Sequence, residues 1–173
     1  TLLDCSMEDP RGNFTQTEID WLRSELPDFG SEESSSDSTS AELKQYLTFY
    51  QLPKASNDVQ LIVGKSPDRQ TLIAAWKPTV SRGTVVVVHG YMDHIGLYNH
   101  LIKYLLQQQL NVVCFDLMGH GLSSGDPGSI NNFSQYVEQL EQVIALSNEY
   151  FPGPTHGIGQ SMAANSIDYT SPV

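Results

Sequence analysis

Two uninterrupted apolar runs, "TVVVV" (84–88) and "NVVCF" (111–115), constrain the possible folds of this chain more than any other feature. Neither alternates apolar with polar residues, so both read as strands buried on two faces. Between them Tyr98, Leu101, Ile102 and Leu105 recur at the spacing of an amphipathic helix. A second stripe, Phe133, Tyr136, Val137, Leu140 and Ile144, precedes a short strand in "THGIGQS". This alternation implies a parallel sheet with right-handed crossovers. Upstream, "VQLIV" and "TLIAAW" flank "GKSPDRQ", whose Gly, Pro and Asp predict the turn of an antiparallel hairpin leading into that sheet.

The first part of the chain has a different character. Of the net charge of −11, residues 1–42 carry −9, from eleven acids against Arg11 and Arg23. Without a basic face, nucleic acid and anionic lipid are not expected partners. "TQTEIDWLRSEL" predicts a short helix, with Thr15 and Glu18 at capping-box spacing and Ile19, Leu22 and Leu26 on one side. A second is expected in "AELKQYLTFY". The run "GSEESSSDSTS" (30–40) has nothing to bury and reads as a mobile linker. The chain therefore divides into an acidic, solvated segment (1–57) and a sheet domain (58–173). Cys5 and Cys114 lie in such different contexts that no disulfide is expected. No apolar run reaches the ~20 residues of a membrane span, and the chain opens without a secretory pattern. A reducing, cytoplasmic setting is the expectation.

Chemistry in a parallel sheet gathers at the carboxyl ends of its strands. Three loops fall there: "HGYMDHIGLY", "DLMGHGLSSG" and "GQSMA". Ser161 in the last is placed to be a nucleophile on a tight strand-to-helix turn, with the backbone N–H of Met162 and of Tyr91 as oxyanion donors. Gly159 and Ala163 let strand and helix approach. Gly90 lets its loop turn back over the sheet, and His89, His94 and His120 read as loop histidines bonded to backbone. No His or Cys spacing suggests a metal site.

From Val59 to Tyr169 the chain resembles the α/β-hydrolase superfamily, in particular its lysophospholipase and monoacylglycerol lipase group, also described as serine aminopeptidase-like. The resemblance rests on an HG-x-x-(E/D)-H-x-G-x-Y loop (His89, Gly90, Asp93, His94, Gly96, Tyr98) and a D-x-x-G-H-G-x-S-x-G loop (Asp116, Gly119, His120, Gly121, Ser123, Gly125). "GQSMA" stands where the group has G-(H/Q)-S-x-G. It implies a Ser-His-Asp triad with an acyl-enzyme on Ser161, and loop-shaping roles for His89, Gly90, Asp116, Gly119, His120 and Gly121. A small lipid or ester substrate is implied, with transient contact with a membrane surface, and no metal or organic cofactor.

The triad order in this superfamily is Ser, then Asp or Glu, then His. After Ser161 come only Asp168 and no histidine. Asp168 should lie on the helix leaving the turn, and His156 at the opposite end of its strand, so neither is accepted as a triad member. With about five strands visible, the reading is the N-terminal part of an α/β-hydrolase fold, incomplete at its C-terminus. Two classes stay open: a serine ester hydrolase whose remaining half lies beyond Val173, and a natural short, non-catalytic binding or regulatory form.

Overall fold

The computed structural model describes residues 16–35, 40–151 and 153–164. Cys5, Thr15, Asn165, Ser166 and Asp168 lie outside the described residues. Among those described, five strands form one sheet: β1 (Val59–Lys65), β2 (Leu72–Pro78), β3 (Thr84–Val88), β4 (Asn111–Phe115) and β5 (Thr155–Gly159), in the order β1-β2-β4-β3-β5. β1 and β2 pair antiparallel, as do β2 and β4. β3 then runs parallel to β4 (Val85 opposite Val112) and to β5 (Val85 opposite His156).

Period-two alternation divides the apolar runs between the two faces of the sheet. Leu72, Ala74, Trp76, Val85, Val87, Val112 and Cys114 pack against α1 (Gln16–Glu25), α2 (Ala41–Phe49) and α3 (Asn99–Gln107). Ile73, Ala75, Val86, Val88, Val113 and Phe115 face α4 (Ser134–Tyr150), through Tyr136, Leu140 and Val143. Both faces are covered, which is why each run is apolar after its first residue, and those two, Thr84 and Asn111, are buried against each other (3.1 Å). The buried side of α4 also takes in Gln139 and Ser147, which an apolar stripe cannot reveal.

The N-terminal segment corrects one expectation. Its charge suggests a solvated segment, yet Ile19, Leu22, Leu26 and Phe29 are all at most 6% exposed. Residues 27–29 run along β1, with Phe29 N–H donating to the Lys65 carbonyl (2.7 Å) and Lys65 N–H to that of Pro27 (2.8 Å). A Cβ on Gly64 would stand 2.7 Å from Phe29 backbone atoms. Gly64 is therefore a strand residue under this strap rather than part of the turn, which begins at Ser66.

The serine run is likewise not a simple linker. Ser34 is buried, its hydroxyl donating to the Ser31 carbonyl (2.7 Å) and accepting from Gly30 N–H (3.0 Å), and Ser35 bridges to Ile62. Backbone groups, not side-chain apolarity, hold it there. Residues 36–39 fall outside the described chain.

Candidate active site

Ser161 lies between β5 and the helical residues Met162–Ala164, with its backbone at φ +55°. Ala163 N–H donates to the Gln160 carbonyl and Ala164 N–H to that of Ser161, both at 3.1 Å. The turn is tight: a Cβ on Gly159 would meet the Ala163 carbonyl at 2.8 Å. Ala163 itself is fully buried and outside the left-handed region, so alanine is accommodated where the group motif has glycine. The Ser161 side chain is exposed.

The loop after β3 comes up beside this turn, Gly90 standing against the Gln160 carbonyl. His89 is buried beneath it. Its Nδ1 contacts the Gly90 carbonyl at 2.7 Å and its Nε2 accepts from Leu117 N–H at 2.9 Å, which fixes the neutral tautomer with the proton on Nδ1. Burial lowers its pKa to about 4. Although Nε2 lies 3.9 Å from the Asp116 carboxylate, no ion pair exists between them, because that nitrogen carries no proton. His120 is bound in the same way, Nδ1 to the Met118 carbonyl (2.9 Å) and Nε2 accepting from Met92 N–H (3.2 Å). His94 caps the short 3-10 turn Ile95–Tyr98 by accepting from Gly96 N–H (3.2 Å), and burial lowers its pKa.

Asp116, at the end of β4, is fully buried, and burial raises its pKa. Its carboxylate accepts from Ile95 N–H and Leu122 N–H, both at 2.8 Å, and so ties together the loops after β3 and β4. Gly121, at φ +49°, passes so close that a Cβ there would stand 2.1 Å from an Asp116 oxygen. Gly119, at φ +74°, closes the turn by donating to the Ser124 carbonyl (2.8 Å).

The structure thus brings Ser161, Met162, Gly90 and Tyr91 to one edge, at the carboxyl ends of β3 and β5. His156, paired with Val85, is at the other end of β5. Among the described residues nothing hydrogen-bonds to the Ser161 hydroxyl, and no three His, Cys, Asp or Glu side chains are grouped to hold a metal ion. Neither the Tyr91 nor the Met162 amide has a partner among the described residues.

Several contributors carry no local sequence signal. Arg23 of α1 donates to the Gly121 carbonyl (2.8 Å) and Lys65 of β1 to that of Leu122 (3.1 Å), so α1 and the hairpin both grip the loop after β4. Burial lowers the Lys65 pKa to about 8. Tyr98 packs its ring with the apolar face of α3, as its spacing implies, and also directs its hydroxyl to the loop before it, where its place at the end of the loop motif is the available signal.

Residues 79–167 match the profile of the family described as serine aminopeptidase, S33. The monoacylglycerol lipase of Mycolicibacterium smegmatis is 32% identical over 94 residues, which cover 53% of this chain and 34% of that one. The monoglyceride lipase of Homo sapiens is 33% identical over 89 residues, covering 50% and 29%. Among solved structures, a thermostable carboxyl esterase from Bacillus coagulans aligns with a TM-score of 0.51 at 25% identity, over 64% of this chain and 39% of that one. The chain spans about a third of the length of the curated relatives it matches. By the match over residues 79–167 and the topology around Ser161, the chain belongs to the serine aminopeptidase, S33 family of α/β-hydrolases.

Proposed function

We propose that Ser161 is the nucleophile of a carboxylic ester hydrolase of the monoacylglycerol lipase or lysophospholipase type. The observation that carries this reading is the pair of unpartnered amides, Tyr91 and Met162, beside an exposed serine held at φ +55°. Ser161 Oγ attacks the ester carbonyl, the carbonyl oxygen takes up charge facing the two N–H groups, and the alcohol departs with a proton. Water then hydrolyses the acyl-enzyme. Loss of one such donor lowers the rate by roughly 10² to 10³. Exposed Tyr91, Met92 and Leu97 on the neighbouring loop give the site an apolar rim suited to an acyl chain and to transient contact with a membrane surface. Among the described residues no helix is long and apolar enough to cross a membrane. Cys114 is a buried free thiol, in keeping with a cytoplasmic setting. Residues 58–164 carry the site in this reading, and α1 and α2 cover one face of its sheet.

Deprotonation of Ser161 needs a base, and the described residues offer none: the ring nitrogens of His89 and His120 are committed to backbone, and His156 is remote. A triad without its base loses most of its rate enhancement. That observation favours, as second reading, a non-catalytic binding or regulatory form. A fluorophosphonate probe separates the two. The 173-residue chain should label negligibly, and a longer form that adds an Asp and a His should label at Ser161. Robust labelling of the 173-residue chain would show that Ser161 needs no further base, whereas no labelling of a longer form would leave the non-catalytic reading.

A further inference from the structure

Four consecutive amides follow His89, and three of them are taken. Gly90 N–H donates to the Tyr98 hydroxyl (3.2 Å), Met92 N–H to His120 Nε2 (3.2 Å) and Asp93 N–H to the Gly90 carbonyl (3.2 Å). Tyr91 N–H, between the first two, has no partner among the described residues. Resting on the reading of Ser161 above, we propose that Tyr98 and His120 are positioning residues that hold the amides on either side of Tyr91 and so leave the Tyr91 N–H alone to meet the substrate oxyanion.

The geometry of a trans peptide carries the argument. Carbonyl and N–H of one peptide unit point in opposite directions, so the Gly90 carbonyl, engaged by His89 Nδ1–H and Asp93 N–H, turns the Tyr91 N–H outward. That orientation survives only if the flanking peptide units do not rotate. Tyr98 fixes the one before. Its hydroxyl accepts from Gly90 N–H, donates to Asp93 Oδ2 (3.1 Å) and meets the side-chain amide of Gln160, the neighbour of Ser161. A phenol has a single hydrogen, shared here between Asp93 Oδ2 and Gln160 Oε1, while its oxygen accepts from Gly90 N–H. Burial and the nearby Asp93 carboxylate push the phenol up to about 12, which keeps it a hydroxyl able to donate and accept at once. His120 fixes the unit after Tyr91, where Met92 sits at φ +66°, a left-handed conformation that a methionine holds only when its surroundings impose it. Without both, the Gly90 or Met92 amide can swing toward the same space and the donor at Ser161 is no longer unique.

Amide-resolved hydrogen exchange on the 173-residue chain tests this, with methyl phenylphosphonate as a tetrahedral anionic probe. Gly90 and Met92 amides should exchange about tenfold more slowly than Tyr91, and the phosphonate should shift the Tyr91 and Met162 amide resonances. In Tyr98→Phe, Gly90 exchange should rise about tenfold and the Tyr91 response to phosphonate should fall while that of Met162 persists. His120→Ala should do the same through Met92, and His120→Gln, which keeps an acceptor, should restore it. The Leu117 amide, held by His89, reports whether each variant is folded. Gly90 or Met92 exchanging as fast as Tyr91 in the unsubstituted chain overturns the proposal. So does a Tyr91 response that survives Tyr98→Phe and His120→Ala, with the reading of Ser161 left standing. Absence of any phosphonate response at Tyr91 and Met162 overturns that reading, and the positioning role with it.

Discussion

Ser161 occupies the left-handed region, which an L-residue enters at a cost of roughly 1–2 kcal/mol. Glycine enters it without that cost but loses more entropy on folding. Ser161→Gly should therefore be more stable than Ser161→Ala by about 1 kcal/mol in urea unfolding. Equal stability would mean that the turn stores no strain. His89 yields a pH dependence. Its folded pKa of about 4 lies below the ordinary 6.5, so the unfolded chain takes up the proton first. The stability it contributes is complete above pH 6.5 and is lost as pH falls toward 4, amounting to roughly 3 kcal/mol. Urea midpoints across that window should fall, and His89→Gln should flatten the slope by up to one proton. At this scale the sequence is informative wherever geometry demands a residue type: Gly159 and Gly121 are small because Ala163 and Asp116 leave no room. The hydrogen bonds of Tyr98 are not legible in the sequence, since apolar periodicity says nothing of where a hydroxyl ends up.

At the scale of elements, β5 is the exposed side of the sheet. It pairs only with β3 among the described strands, its residues are largely exposed, and nothing charged stands between Gly153 and Ala164. Unprotected edges of this kind invite pairing with other chains. Concentration-dependent association is expected in sedimentation velocity, and Ile158→Lys, at a position 38% exposed, should reduce it. Association unchanged by the lysine would place the contact elsewhere. The opposite edge is managed differently. β1 is covered by residues 27–29, and Arg69 fastens the strap by pairing with Asp28 (2.6 Å) and donating to the Leu26 carbonyl (3.0 Å). The helix preceding the strap was visible in the spacing of Ile19, Leu22 and Leu26; its docking site was not, because an amphipathic stripe states that it will be buried and not against what.

For the molecule as a whole, the strap makes the N-terminal segment part of the core. Ile19, Leu22, Leu26 and Phe29 each contribute on the order of 1.5–3 kcal/mol by burial, a sum comparable with the ~5–15 kcal/mol of a typical domain. Deleting residues 1–35 should abolish the cooperative urea transition, and a sharp transition in that variant would show that the sheet stands without its cover. The sequence by itself determined the strands, the antiparallel hairpin of β1 and β2, the parallel direction of β3, β4 and β5, the helices between them and the three loops at the carboxyl edge. Those follow from local periodicity and turn chemistry, which are properties of neighbouring residues. It also placed "GQSMA" at a strand-to-helix turn. Only the tertiary structure decided that the acidic segment is a wall of the core, that Arg23 and Lys65 hold the loop after β4, and that Tyr91 keeps an unpartnered amide beside Ser161. These depend on contacts between residues far apart in the chain, and a buried carbonyl or amide accepts whichever distant partner the fold brings to it.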